Sequence, residues 1–154
     1  MRTLEEELAE VKALEALAPE HRGTLAGCAR HRVFEAGERI MREGQQADAF
    51  YVVRHGAVAL ETVVPQRGPV VVQTLHDGEL LGWSWLVPPY RTAFDARALG
   101  TTRTIAFDGT CLRGKCEADP ALGYSLLKLL AGVFVDRLQD TRLRLLDLYG
   151  KDAS

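Results

Sequence analysis

The spacing of apolar positions changes twice along this chain, and the changes divide it. Over residues 3–17, "TLEEELAEVKALEAL", Leu4, Leu8, Val11, Leu14 and Leu17 recur at helical spacing among acidic residues. Thr3 is the natural N-cap, and the acids lie near the positive end of the helix dipole. Pro19 ends this helix and opens a shorter one over about residues 19–29, with Leu25 and Cys28 as its packing residues. From His31 to Asp108 short β-rich runs take over: "HRVF", "AGERIM", "AFYVVRHG", "AVALETVV", "PVVVQTL", "RTAFDARA" and "TTRTIAF". Gly37, Gly44, Gly56, Gly68, Gly78, Gly82 and Gly100 punctuate them at the spacing of an all-β sandwich or barrel. "PQRGP" reads as a hairpin tip. After Asp108 helical spacing returns. "DGTCLRGKCEAD" predicts a short helix capped by Asp108, and a long one follows with Asp119 as N-cap, Pro120 as first residue and Gly150 at its far end. The expected organisation is one domain: helices over 1–30, a β core over 31–108, and helices over 109–150.

The long helix carries a near-heptad stripe: Leu127, Leu130, Phe134, Leu138, Thr141, Leu145 and Leu148. It either lies on its own β domain or leaves it. A stripe this long outruns what a small β domain can cover, so the distal half is expected to pair with a second copy, giving a homodimer.

Composition narrows the function classes. The 154 residues are 47% hydrophobic and 26% charged, with a formal net charge of −2, so no global basic field argues for nucleic acid. No run approaches the roughly 18 apolar residues of a membrane helix. "MRTLEEELAE" lacks the apolar core of a signal peptide, which makes the expected location cytoplasmic. An odd number of cysteines (Cys28, Cys111 and Cys116) fits buried or partly buried thiols in a reducing compartment better than a disulfide framework. His21, His31, His55 and His76 are scattered without metal-ligand spacing. No metal and no resident cofactor are expected.

The chemistry concentrates in "GELLGWSWLVPPYRTAFDARAL", residues 78–99. Arg91 supplies a planar guanidinium fork for an anion, and Thr92 an adjacent hydroxyl. Gly82 lets backbone come close, and free N–H groups of a short helix over Gly82, Trp83, Ser84 and Trp85 attract negative charge. These six residues are the candidate ligand site. The alternative for Arg91 is a surface ion pair. Trp83 and Trp85 either stack on a flat ligand or fill the pocket as core.

Helices, a glycine-punctuated β segment and a long final helix resemble the cyclic nucleotide-binding domain of the Crp/Fnr (catabolite activator protein-like) family. Residues 34–60, "FEAGERIMREGQQADAFYVVRHGAVAL", are similar to that family's F-x-x-G-x-x-I, E-G and F-Y-x-x-x-x-G-x-V pattern. "LHDGELLGW" resembles its motif of two glycines four apart, and "YRTAFDARA" the arginine, small hydroxyl residue and strand that close its phosphate cassette. The resemblance implies a mainly β fold: a double-stranded β-helix, or jelly-roll-like β-roll, with N-terminal helices and a long C-terminal helix. It implies a regulatory, non-enzymatic module.

Two departures qualify what it implies. Where the family's cyclic-nucleotide binders carry a glutamate for the ribose hydroxyl, this chain has Trp83; Glu79 would serve only by breaking the two-glycine frame. The stretch from Trp83 to Arg91 also looks short, stiffened by Pro88 and Pro89. The expected ligand is therefore a small anionic effector, with cyclic AMP bound weakly or not at all. Only "KDAS" follows Gly150, where the family's transcription factors carry a helix-turn-helix, so direct DNA binding by this chain is not expected. The rival readings are a partner-binding scaffold with a tryptophan-filled pocket and a cupin-like metal enzyme, the latter opposed by the lack of a close histidine pair.

Overall fold

A computed structural model describes residues 2–152, with side chains as far as Gly150; Met1, Ala153 and Ser154 lie outside the described residues, so the predicted tail "KDAS" is covered only in part. Thr3 caps α1 (Leu4–Ala9) through a reciprocal capping box with Glu6. The single helix predicted over 3–17 is instead α1 and a separate 3₁₀ turn, Lys12–Leu14. The reason lies in helical phase. A straight helix would carry Leu17 about half a turn away from Leu8. The extended backbone at Val11 resets that phase, and Leu8, Val11, Leu14 and Leu17 all become buried. Pro19 opens α2 (Pro19–Ala26) as its first residue.

Eight strands follow: β1 (Ala29–Phe34), β2 (Arg39–Met41), β3 (Ala49–His55), β4 (Val58–Val64), β5 (Gly68–Leu75), β6 (Leu80–Leu81), β7 (Asp95–Ala98) and β8 (Thr102–Asp108). They form two four-stranded sheets, ordered β1-β8-β3-β6 and β2-β7-β4-β5, and every strand pairing is antiparallel. This is the β-roll. β6 is too short to read from periodicity, and only the second half of "RTAFDARA" is strand.

The alternation along β3 and β8 explains why the chain is so apolar there. Tyr51, Val53 and Ala106 point between the sheets, with Phe34, Val58, Leu60, Leu75, Leu81, Ala96 and Ala98. Phe50, Val52, Ile105 and Phe107 point the other way, into a second core shared with Leu8, Leu14, Leu25, Trp85 and the C-terminal helices. Sheet residues buried on both faces lose the polar half of the period-two pattern.

α3 (Gly109–Ala118) starts on Asp108, whose carboxylate accepts from the Cys111 amide at 2.8 Å. α4 (Pro120–Asp152) starts on Asp119, which accepts from the Ala121 and Leu122 amides. Gly150 lies inside this helix rather than after it. Leu122, Leu126 and Leu130 are buried against the roll, whereas the distal part of the helix is exposed. The predicted stripe therefore divides. Leu130 and Phe134 pack on the domain, while Leu127, Leu138, Leu145 and Leu148 face outward with exposed Thr141. The outward apolar face runs through Tyr124, Leu127, Val135, Leu138, Leu145 and Tyr149.

The cysteines correct the reading of three thiols. Cys28 and Cys111 form a disulfide between the end of α2 and the first turn of α3, and Cys116 is the free thiol. The Asp108 amide donates to the Cys28 carbonyl at 2.9 Å and the Asp108 carboxylate caps Cys111, which sets the two Cα atoms 5.9 Å apart. That spacing suits a disulfide. Parity rules out complete pairing of three cysteines, not one bridge. Among the described residues no helix is long and apolar enough to cross a membrane.

Candidate functional site

The site begins at the edge of the first sheet. β6 pairs with β3, and Gly82 follows it at φ 95°, a left-handed conformation that glycine adopts freely. A Cβ there would meet the Met41 side chain at 2.7 Å and the Ala49 carbonyl at 3.2 Å. Gly82 thus lays the chain directly against β3. Residues 83–86 form a single turn, closed by the Leu86 amide on the Trp83 carbonyl at 3.2 Å, in place of the predicted short helix. One turn leaves no helical row of N–H groups for an anion.

The second half of the loop is fixed by backbone pairing. The Thr92 amide donates to the Gln45 carbonyl at 2.8 Å, the Gly44 amide to the Thr92 carbonyl at 2.8 Å, and the Ala47 amide to the Tyr90 carbonyl at 2.7 Å. Arg113 of α3 donates to the Trp85 carbonyl at 2.6 Å and stacks on the Tyr90 ring.

A cavity of about 20 Å³ lies behind this loop, lined by Met41, Leu60, Leu81, Gly82, Trp83, Ser84, Thr92, Ala93, Phe94, Ala96 and Arg137. It has room for about one water. Of the six residues singled out from the sequence, Gly82, Trp83, Ser84 and Thr92 reach it. Trp85 does not: it is wholly buried in the helix-side core, stacked on Phe50 with ring centroids 5.8 Å apart, and its indole N–H has no partner among the described residues. Arg91 does not line the cavity either. It is exposed, with its backbone bridged to Gln46, and it forms no ion pair with a carboxylate among the described residues.

The lid is α4. Phe134 sits edge-on to the Trp83 ring at 5.1 Å, and Arg137 donates to the Leu80 carbonyl of β6. Two turns further on, Arg144 donates to the Val72 carbonyl of β5. Because β6 and β5 are the outer strands of their sheets, α4 bridges the open side of the roll. Arg137 is the only charged side chain among the cavity residues, and burial pulls its pKa down from the ordinary value, with Glu79 working the other way. The guanidinium remains protonated at neutral pH. Sequence reasoning missed this residue. The available signal was phase: Leu126, Leu130, Val133 and Arg137 share one helix face, so an arginine falls where the buried leucines do.

A family model for the cyclic nucleotide-binding domain matches residues 31–119, the roll together with α3. This chain belongs to the cyclic nucleotide-binding domain family. The domain is similar to the helix-turn-helix-type transcriptional regulator Cmr of Mycobacterium tuberculosis, with 27% identity over 137 residues, covering 87% of this chain and 54% of that protein. It therefore spans about half the length of the curated regulator it matches. Among solved structures it resembles a Geobacter metallireducens protein assigned as cyclic nucleotide-binding, at TM-score 0.79 and 26% identity over 90% of this chain and 99% of the other. A cyclic nucleotide-binding domain from Methylobacillus flagellatus superimposes at TM-score 0.81 with 16% identity, over 94% of this chain and 85% of that one; at that identity the likeness is one of fold. In this chain the cavity behind residues 82–84 has room for about one water, with Trp83 and Arg137 of α4 in its lining.

Proposed function

We propose that this domain is a non-enzymatic, cytoplasmic sensor that admits a small anionic effector behind residues 82–84 and relays occupancy through α4 to a second copy. One observation carries the reading. Arg137 of α4 lines the cavity and Phe134 packs on Trp83, and the same helix presents an apolar face further along, so a ligand that fills the cavity meets that helix. Leu138 and Leu145, 70% and 50% exposed, form the centre of a face that a second copy would cover. Cyclic AMP is assigned weak affinity. Trp83 occupies the place of the carboxylate that the resemblance assigns to the ribose, and a lost charged hydrogen bond amounts to about ten- to a hundred-fold in binding.

The edge-on contact of Trp83 with Phe134 favours a second reading, a scaffold whose pocket is permanently filled. Tryptophan fluorescence separates the two. Titration with nucleotides and phosphorylated metabolites should give a saturable change, and sedimentation should detect a dimer that Leu138→Glu with Leu145→Glu dissociates. A flat titration across the panel supports the scaffold. A wild type that stays monomeric at micromolar concentration removes the relay, and sub-micromolar affinity for cyclic AMP overturns the role given to Trp83.

A further inference from the structure

The geometry points to a thiol–disulfide exchange site at the Cys28–Cys111 bond, taking a small acidic thiol that carries two carboxylates and one ammonium, as glutathione does. The site lies apart from the cavity behind residues 82–84 and does not depend on the sensor reading.

The bond faces a groove of about 770 Å³, large enough for a tripeptide, whose lining includes Cys28, Cys111, Arg30, Arg32, Asp48 and Tyr51. Strand register explains why these residues meet. Cys28 directly precedes β1, and Arg30 lies opposite Ala106 of β8, which lies opposite Tyr51 of β3. Residues opposite one another share a face of the sheet, and Arg32, two positions on, joins them. Ala106, between the arginine and the phenol, is small and leaves the floor of the groove low. Asp48 comes from the residue before β3, whose carbonyl accepts from the Gly109 amide of α3 at 2.8 Å. Burial raises the Tyr51 pKa above its ordinary value; Arg32 and Arg30 oppose that shift and Asp48 adds to it, so all three charges act on one ring.

Those charges are open to a ligand. Among the described residues neither Arg30 nor Arg32 has a carboxylate within ion-pair distance, and Asp48 has no cation. Asp108 is also in the lining, but its carboxylate is committed to the Cys111 amide. Two cations and one anion around a disulfide complement two carboxylates and one ammonium around a thiol. In the exchange, the ligand's thiolate attacks Sγ of Cys111, the partly exposed partner, and forms a mixed disulfide. The buried Cys28 leaves as a thiolate and takes a proton from water. A second ligand thiolate attacks the ligand sulfur of the mixed disulfide and releases Cys111. Two thiols are thereby oxidised to one disulfide, and the protein's bond is reduced to two thiols.

The test follows reduction of the oxidised protein, by quenching with an alkylating agent and counting the two new thiols by mass. Glutathione is compared with 2-mercaptoethanol, which has no charge besides its thiolate, in folded protein and in protein unfolded by urea. The ratio of the two rates cancels the general accessibility of the bond. Folding should raise that ratio by about three- to tenfold, and Arg30→Gln with Arg32→Gln should remove the rise. Arg30→Lys with Arg32→Lys, which keeps both charges, should retain most of it. Arg103→Gln, exposed and on the opposite face of the first sheet, should retain all of it. Asp48→Asn should slow glutathione yet speed thioglycolate, which has a carboxylate and no ammonium. A folded ratio equal to the unfolded one, or a rise that survives loss of both arginines, overturns the site. So does a bond that neither thiol reduces in the folded protein, and an Asp48→Asn effect of one sign on both acids overturns the ammonium contact.

Discussion

Reducing the Cys28–Cys111 bond should destabilise this domain more than any single exposed substitution. The bond closes a loop with a sequence separation of 83 residues. Chain-entropy arithmetic for a loop of that length gives about 4.5 kcal/mol at 25 °C, against the 5–15 kcal/mol that typically holds a domain together. The Asp108 amide donates to the Cys28 carbonyl and the Asp108 carboxylate caps Cys111, so hydrogen bonds hold both backbones beside the bond. The effect therefore acts on the unfolded chain, which regains the freedom of the open loop.

Urea unfolding of oxidised and reduced wild type measures it on one sequence. With a slope of roughly 2 kcal/mol per M, the midpoint should fall by about 2 M on reduction. Thiol titration in denaturant supplies the control: one reactive thiol, Cys116, in protein equilibrated with oxidised glutathione, and three after reduction. Three thiols under oxidising conditions would mean that the bond does not form. A single thiol with a midpoint shift below about 0.5 M would refute the loop-entropy argument.

Two further stability experiments probe the roll. Gly37 and Gly82 both have positive φ, but a Cβ at Gly37 meets nothing within 4 Å while one at Gly82 meets Met41 and Ala49; Gly37→Ala should cost about 1 kcal/mol and Gly82→Ala measurably more, read as urea midpoints. Glu61 is buried and takes two bonds, 2.9 and 3.2 Å, from the partly exposed Arg97. Arg97→Ala strands a buried carboxylate and should lose more stability than Glu61→Ala, which frees an arginine that reaches water; the reverse order in thermal or urea melts would refute the asymmetry.

The fold was legible where one face of an element is polar or where a turn needs a particular residue. Thr3, Pro19, Asp108 and Asp119 mark helix starts because each satisfies or lacks a backbone donor locally. Gly56 marks a turn because φ is 121° and a Cβ would lie 2.7 Å from Thr102. What stayed hidden depends on distance in space. The disulfide joins residues 83 apart and leaves no local trace. Trp85 and Trp83 stand two positions apart, yet one fills the core under α3 and the other roofs the cavity. The helix break at Val11 follows from burying Leu17, which no residue between them announces. In α4 the apolar pattern superposes an inward and an outward face, and a single stripe drawn through both blurs their phases.

The candidate site comes together only in part. Residues 82–84 and 92 reach one cavity because strand pairing on β3 and on residues 44–47 fixes them. Arg91, a local pattern beside Thr92, is exposed outside the lining, and Arg137 of α4, far along the chain, is the charged side chain in it. In the proposed sensor a ligand with equal affinity for two positions of α4 shifts neither, and one that binds a single position better shifts the helix toward it. The same coupling lowers apparent affinity: if the detached helix is populated at about one part in a hundred, binding weakens about a hundred-fold. Weak binding of a nucleotide and a working switch are therefore compatible outcomes of the proposed sensor, in which the position of α4 sets the threshold.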